Sequence, residues 1–191
     1  MPEQLVDPSP PTDRLFFALY PDAPTAQRIA GVAKQLKAEH GLRGRPLAQA
    51  RFHVTLHFLG DHLGLPQALV ETLVSAASEL RHDPFDVRFD HAVSFTGRPR
   101  RRPLVLRGSD DGLAALMAFR ESLGDALVRR GLGSLVEAHF TPHVTLIYDD
   151  QLVRAQPVEP IAWRVREFML VDSLIGQTRH VPLARWALGE G

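Results

Sequence analysis

Two short stretches of this chain carry residue types that could do chemistry: His53-Val54-Thr55-Leu56 and, 90 positions later, His143-Val144-Thr145-Leu146. Both are β-branched and apolar enough to form strands. On a strand, side chains alternate between faces. Each strand then presents an imidazole and a hydroxyl on one face and buries two aliphatic residues with the other. If the two strands face each other, two histidines and two threonines meet at one site. An imidazole gives or takes a proton near neutral pH. A hydroxyl can hold an oxygen on which charge develops. Together they suit a phosphoryl group.

One HxT alone would be an ordinary histidine on a strand. The four-residue repeat, half a chain apart and in apolar surroundings both times, points to internal duplication. Strict alternation also places His57 on the face of His53 and Thr55, as part of a cleft wall. A zinc site would need such a third ligand together with a carboxylate, and no Asp or Glu flanks either strand suitably, so no metal and no cofactor is expected. There is no G-x-S-x-G elbow for a serine hydrolase and no G-x-x-x-x-G-K-[ST] loop for nucleoside triphosphates.

The elements that must position these residues are legible from periodicity. Arg14–Tyr20 is a dense apolar run bounded by Pro21, a central strand. Asp22 and Pro24 start a helix with Ala26, Ile29, Ala30, Ala33 and Leu36 on one face, and Gly41 stops it. The His53 strand follows and turns between Gly60 and Pro66. A helix over about residues 66–81 precedes an alternating strand, Phe85–Val93. The basic loop Gly97–Pro103 leads into a short strand, 104–106. A third helix starts at Asp110 or Asp111, one of which caps it, and Gly131 closes it. After the second HVTL strand, 161–173 and 181–188 read as two last strands around Gly176. Strands with helices packed on mostly antiparallel sheets make an α+β fold. The four prolines within residues 1–12 read as a disordered tail, leaving 13–191 as one domain.

Arg14-Leu15-Phe16-Phe17-Ala18-Leu19, His53-Val54-Thr55-Leu56-His57-Phe58-Leu59-Gly60 and Phe140-Thr141-Pro142-His143-Val144-Thr145-Leu146 together resemble the two-histidine (2H) phosphoesterase superfamily. Within it they resemble the RNA 2′,3′-cyclic phosphodiesterases, also called 2′-5′ RNA ligases. The resemblance spans about residues 13–188. It implies a duplicated, bilobal fold with two sheets, helices outside and a central cleft. It implies metal-independent hydrolysis of a 2′,3′-cyclic phosphate to a 2′-phosphomonoester, with reversible 2′-5′ ligation in some members. His53 and His143 match the catalytic histidines, and Thr55 and Thr145 the phosphate-binding threonines. The order it implies is His143 as base and His53 as acid. Relatives often carry an arginine five residues after the second histidine; here Tyr148 stands there and brings no positive charge.

The expected partners are RNA ends or nucleotides carrying a 2′,3′-cyclic phosphate. Two other readings stay open: a phosphodiesterase acting on another cyclic or 2′-5′-linked nucleotide, and a non-catalytic binding module, although such a module would be free to lose a histidine and both are present. Arg100, Arg101 and Arg102 either track an RNA backbone or form a solvated loop. Phe52 and Tyr148 are candidates to stack on a base. Formal net charge is zero, so no global field draws in nucleic acid. No membrane span and no obligate protein partner is expected, and the start of the chain lacks the pattern of a signal peptide. The absence of cysteine excludes disulfides and thiolate chemistry and fits a cytoplasmic location.

Overall fold

The computed structural model describes residues 9–96 and 101–189. Eight strands and three α-helices are found among them: β1 (Asp13–Leu19), α1 (Ala23–His40), β2 (Val54–His62), α2 (Gln67–Ser78), β3 (Phe85–Ser94), β4 (Arg102–Arg107), α3 (Asp110–Arg129), β5 (Val144–Asp149), β6 (Gln156–Val165), β7 (Glu167–Leu174) and β8 (Arg179–Ala187). They build two four-stranded sheets, β2-β1-β7-β8 and β5-β4-β3-β6. Every pairing is antiparallel. The fold is α+β, as expected. The two sheets repeat one plan, and each HVTL strand, β2 or β5, is an edge strand of its sheet.

The helices end where their cap residues dictate. Asp22 accepts from the Thr25 N–H at 2.8 Å, and Gly41 closes α1 with φ +62°, a conformation that favours glycine. The cap of α3 is Ser109, whose Oγ accepts from the Gly112 N–H, and not Asp110 or Asp111. Those two acids instead occupy the first turn, where negative charge meets the positive end of the helix dipole.

Two expectations about the strands need correction. The run 161–173 is two strands, not one. It breaks at Arg166, and β6 pairs with β3 while β7 pairs with β1 and β8 in the other sheet. No Gly or Pro stands between them, so the crossover leaves no turn signature. The expected disordered tail also stops short of residue 12. The Thr12 N–H donates to the His62 carbonyl, and the Thr12 carbonyl accepts from the Ile175 N–H, both at 2.8 Å. Residues 1–8 of that tail lie outside the described residues.

One apolar core joins both sheets and the helices. Phe119 of α3 links the halves: its ring packs 5.3 Å from Phe85 of β3 and 5.1 Å from Phe168 of β7. No helix among the described residues is long and apolar enough to cross a membrane.

Candidate active site

On β1, Leu15, Phe17 and Leu19 face the core, while Phe16 and Ala18 lie on the opposite face. On that opposite face a cleft of about 320 Å³ opens between the sheets. From the first sheet come Arg14, Phe16, His53, Thr55, Phe58, Ser173 and His180, with Arg51 just before β2. From the second come His143, Thr145 and Tyr148, with Leu47 from the loop beside β5. The structure therefore brings His53, Thr55, His143 and Thr145 into one cavity.

Both histidines are anchored in the same way. His53 donates its Nδ1–H to the Arg51 carbonyl, and His143 its Nδ1–H to the Thr141 carbonyl, each at 2.7 Å and each to the residue two positions earlier. A carbonyl only accepts, so Nδ1 carries the proton and Nε2 is left to the cleft. Burial, with smaller contributions from His143 and Arg51, pushes the His53 pKa down to about 4. The His143 pKa is also lowered, again mainly by burial, with Arg107 adding to the effect. Burial thus favours the neutral form of both rings. Aromatic contacts fix their planes. Phe16 stacks on His53 at 5.1 Å and Tyr20 at 5.7 Å, while Phe95 packs edge-on against His143 at 5.0 Å.

A β-bulge after each HxT decides what else reaches the cleft. In β2, Ala18 pairs with Thr55 but Phe17 pairs with His57, so Leu56 is the extra residue. In β5, Val105 pairs with Thr145 but Leu104 pairs with Ile147, so Leu146 is extra. One extra residue exchanges the faces of everything after it. His57 is therefore not in the cleft wall. It is 2 % exposed and donates Nε2–H to the Arg120 carbonyl at 3.0 Å. Phe58 and Tyr148, each five residues after a histidine, turn to the cleft instead. Arg120 returns the bond: its Nε–H donates to the Leu56 carbonyl at 2.9 Å, and its Nη2 to the Glu137 carbonyl at 2.6 Å. The bulge is thereby tied to α3 and to the segment that leads into His143. The Leu146 carbonyl accepts from the Leu47 N–H at 2.8 Å.

Several expected contacts do not form. Phe52 is completely buried in the core, because it shares the inward face of Val54 and cannot stack on a base. Arg102 does not line the cleft; it donates Nη1–H to the Asp150 carbonyl at 2.8 Å. Arg101 is exposed and also away from the cleft. Arg100 lies outside the described residues.

Three cleft residues had no motif to announce them. Arg51 makes no ion pair among the described residues, and its Nε is buried without a partner. His180 of β8 meets the His53 ring edge-on at 5.1 Å and shares a 2.9 Å hydrogen bond with the Tyr20 hydroxyl. Burial lowers its pKa to about 4, with His53 and Arg51 acting in the same direction. Ser173 pairs with Arg14 across β7 and β1. No three His, Cys, Asp or Glu side chains among the described residues are grouped to hold a metal ion.

A two-sheet α+β fold with a histidine and a threonine from each half in one cleft defines a duplicated two-histidine phosphoesterase architecture. The chain belongs to the 2′-5′ RNA ligase superfamily, whose pattern it matches over residues 21–176. It is 30% identical over 181 residues to the RNA 2′,3′-cyclic phosphodiesterase of Escherichia coli (strain K12), covering 92% of this chain and 96% of that protein. It is similar to the crystal structure of E. coli LigT in apo form, with a TM-score of 0.69, 30% identity and coverage of 95% of this chain and 100% of that one. It is also similar to LigT complexed with 3′-AMP, with a TM-score of 0.67, 29% identity and the same coverage.

Proposed function

We propose that this chain hydrolyses 2′,3′-cyclic phosphates at RNA ends or on nucleotides to 2′-phosphomonoesters, using His53 and His143 as an acid–base pair. The observation that carries the proposal is the matched anchoring of the two imidazoles, which leaves two Nε2 atoms for one phosphoryl group. A water oxygen attacks phosphorus and the bond to the ribose 3′ oxygen breaks. His143 takes the water proton, and His53 gives its proton to the departing oxygen. The product carries a 2′ phosphate and a free 3′ hydroxyl. Thr55 and Thr145 donate to the non-bridging oxygens. Arg51 supplies positive charge beside His53 that Tyr148 does not. When a ribose 5′ hydroxyl replaces water as the attacking group, the same proton transfers give a 2′-5′ linkage. The named activity of the E. coli relative and the nucleotide held by LigT support this substrate class.

Burial keeps both rings neutral until an anion arrives, and the substrate phosphate offsets that by favouring a proton on one of them. The test of the function itself is to incubate the protein with 2′,3′-cyclic nucleotides and with short RNAs ending in a cyclic phosphate. A 2′-phosphate product is expected, and no product of any kind would refute the proposal.

A further inference from the structure

His180 is the third imidazole that lines the cleft, and the acid–base pair makes no use of it. It stands on β8, the edge of the first sheet farthest from β2. Its ring nevertheless meets His53 edge-on at 5.1 Å and Phe16 edge-on at 5.4 Å. The Tyr20 hydroxyl holds it, 2.9 Å from Nδ1, and has no other partner among the described residues. A neutral imidazole has one donor and one acceptor nitrogen. If Nδ1 donated, the half-buried Tyr20 hydroxyl would keep a proton with no acceptor. Tyr20 therefore donates its O–H to Nδ1, and the ring's own proton sits on Nε2.

That Nε2 has no hydrogen-bond partner among the described residues and is not sealed from solvent. Burial, with His53 and Arg51 acting in the same direction, lowers the His180 pKa to about 4. The ring is thus a neutral donor rather than a rival acid. The polar side chains that line the cleft are imidazoles, hydroxyls and arginines, with no carboxylate among them. Such a lining suits a ligand rich in acceptor oxygens. His143 has no comparable neighbour: the one ring packed against it among the described residues is Phe95.

We infer that Tyr20 and His180 form a fixed donor arm beside His53, in which the Tyr20 hydroxyl sets the tautomer and His180 Nε2–H donates to an oxygen of the bound phosphoryl group. This rests on the proposed phosphoryl chemistry of the cleft. A neutral donor acts where charge builds on the phosphoryl oxygens and takes no part in the proton transfers. Tyr20, which also stacks on His53 at 5.7 Å, fixes one imidazole by packing and the other by a hydrogen bond.

The test sets the donor against the ring. Binding of inorganic phosphate is measured calorimetrically for the wild type, His180→Phe, His180→Gln and Tyr20→Phe, and thermal melting checks that each is folded. The first substitution keeps an aromatic edge against His53 but has no donor. The second brings an N–H close to the place of Nε2 but has no ring. His180→Phe should weaken phosphate binding roughly ten-fold, the loss of a hydrogen bond to a charged acceptor, and His180→Gln should recover most of it. NMR of the wild-type ring nitrogens should find the His180 proton on Nε2 and a shift of that nitrogen when phosphate binds. Tyr20→Phe should let part of that proton move to Nδ1 and should weaken phosphate binding less than His180→Phe does. Unchanged phosphate affinity in His180→Phe, or a larger loss in His180→Gln than in His180→Phe, would leave only packing and overturn the arm. So would a wild-type His180 protonated on Nδ1. A wild type that binds phosphate through His180 yet turns over no cyclic phosphate would refute the proposed function and leave the arm standing.

Discussion

His53 and His143 make one and the same hydrogen bond, each donating Nδ1–H over 2.7 Å to the carbonyl two residues before it. The bond uses only main-chain acceptors, so the duplication could keep it whatever side chains surround it. Its consequence is that two imidazoles line one cavity in matching tautomers, so under the proposed function only their surroundings divide acid from base. A substrate that needs no acid separates the roles. With an aryl phosphodiester, whose leaving group departs without a proton, the variant lacking the acid should keep most of its activity and the variant lacking the base should not. Under the proposed order, His53→Ala is spared and His143→Ala is not. The reverse result would exchange the two roles.

Arg51 can be probed apart from its carbonyl, because Arg51→Gln keeps the main-chain bond to His53. Loss of the guanidinium should weaken inorganic phosphate binding on the order of ten-fold, the worth of a charge-assisted hydrogen bond. Since Arg51 lowers the His53 pKa, its removal should raise that pKa above about 4. An NMR titration of the His53 ring measures this directly. An unchanged pKa together with unchanged phosphate affinity would remove Arg51 from the site.

His57 donates to the Arg120 carbonyl, and the Arg120 guanidinium donates to the carbonyl of Leu56, the extra residue of the β2 bulge. Arg120→Met should destabilise the fold by about 1–3 kcal/mol, because the buried Leu56 carbonyl loses a charged donor. It should also lower turnover, since the same guanidinium ties β2 to the segment before His143. Denaturant unfolding and steady-state rates check the two effects. A variant of wild-type stability would contradict this role.

Stability should depend on acid through the buried imidazoles. His53, His57 and His180 all have folded-state pKa values lowered to about 4 from 6.5. Between those values the unfolded chain binds more protons than the folded one, so their contribution is complete above about pH 6.5 and is lost as pH falls toward 4. Asp172 acts in the opposite direction. Its pKa is raised to about 6, mainly by burial and by Asp13, so its charge burdens the fold as pH rises from about 4 to 6. The His143 pKa is lowered as well, so the buried imidazoles outnumber Asp172 and acid is destabilising. Melting temperature should fall steadily from pH 6.5 to 4, and His57→Phe should flatten that slope. A flat profile in the wild type would contradict the buried neutral rings.

Much of this arrangement was legible in the sequence. The α+β order, the caps of α1 and the convergence of two HxT strands follow from periodicity, Asp22, Gly41 and the repeat. The bulges did not announce themselves, because alternation was carried straight through Leu56 to His57. The second copy held the missing signal: Ile147 takes the place of His57, and two successive apolar residues, Leu146 and Ile147, break the alternation. Reading His57 by its counterpart would have put it in the core and put Phe58 beside Tyr148. The crossover at Arg166 and the positions of Arg51 and His180 had no such signal. They depend on which strands pair, and residue types do not fix that pairing locally.

The most direct test of the central claim is the turnover of a 2′,3′-cyclic nucleotide, in EDTA and across about pH 5–9, by the wild type, His53→Ala, His143→Ala and the double variant. Each single substitution should slow the reaction about 10²–10⁴-fold. The double variant should lose far less than the product of the two, because the pair acts as a unit. The wild type should give a bell-shaped profile unaffected by EDTA. Full activity in either single variant, or activity that returns only when metal is added, would contradict a two-histidine acid–base mechanism.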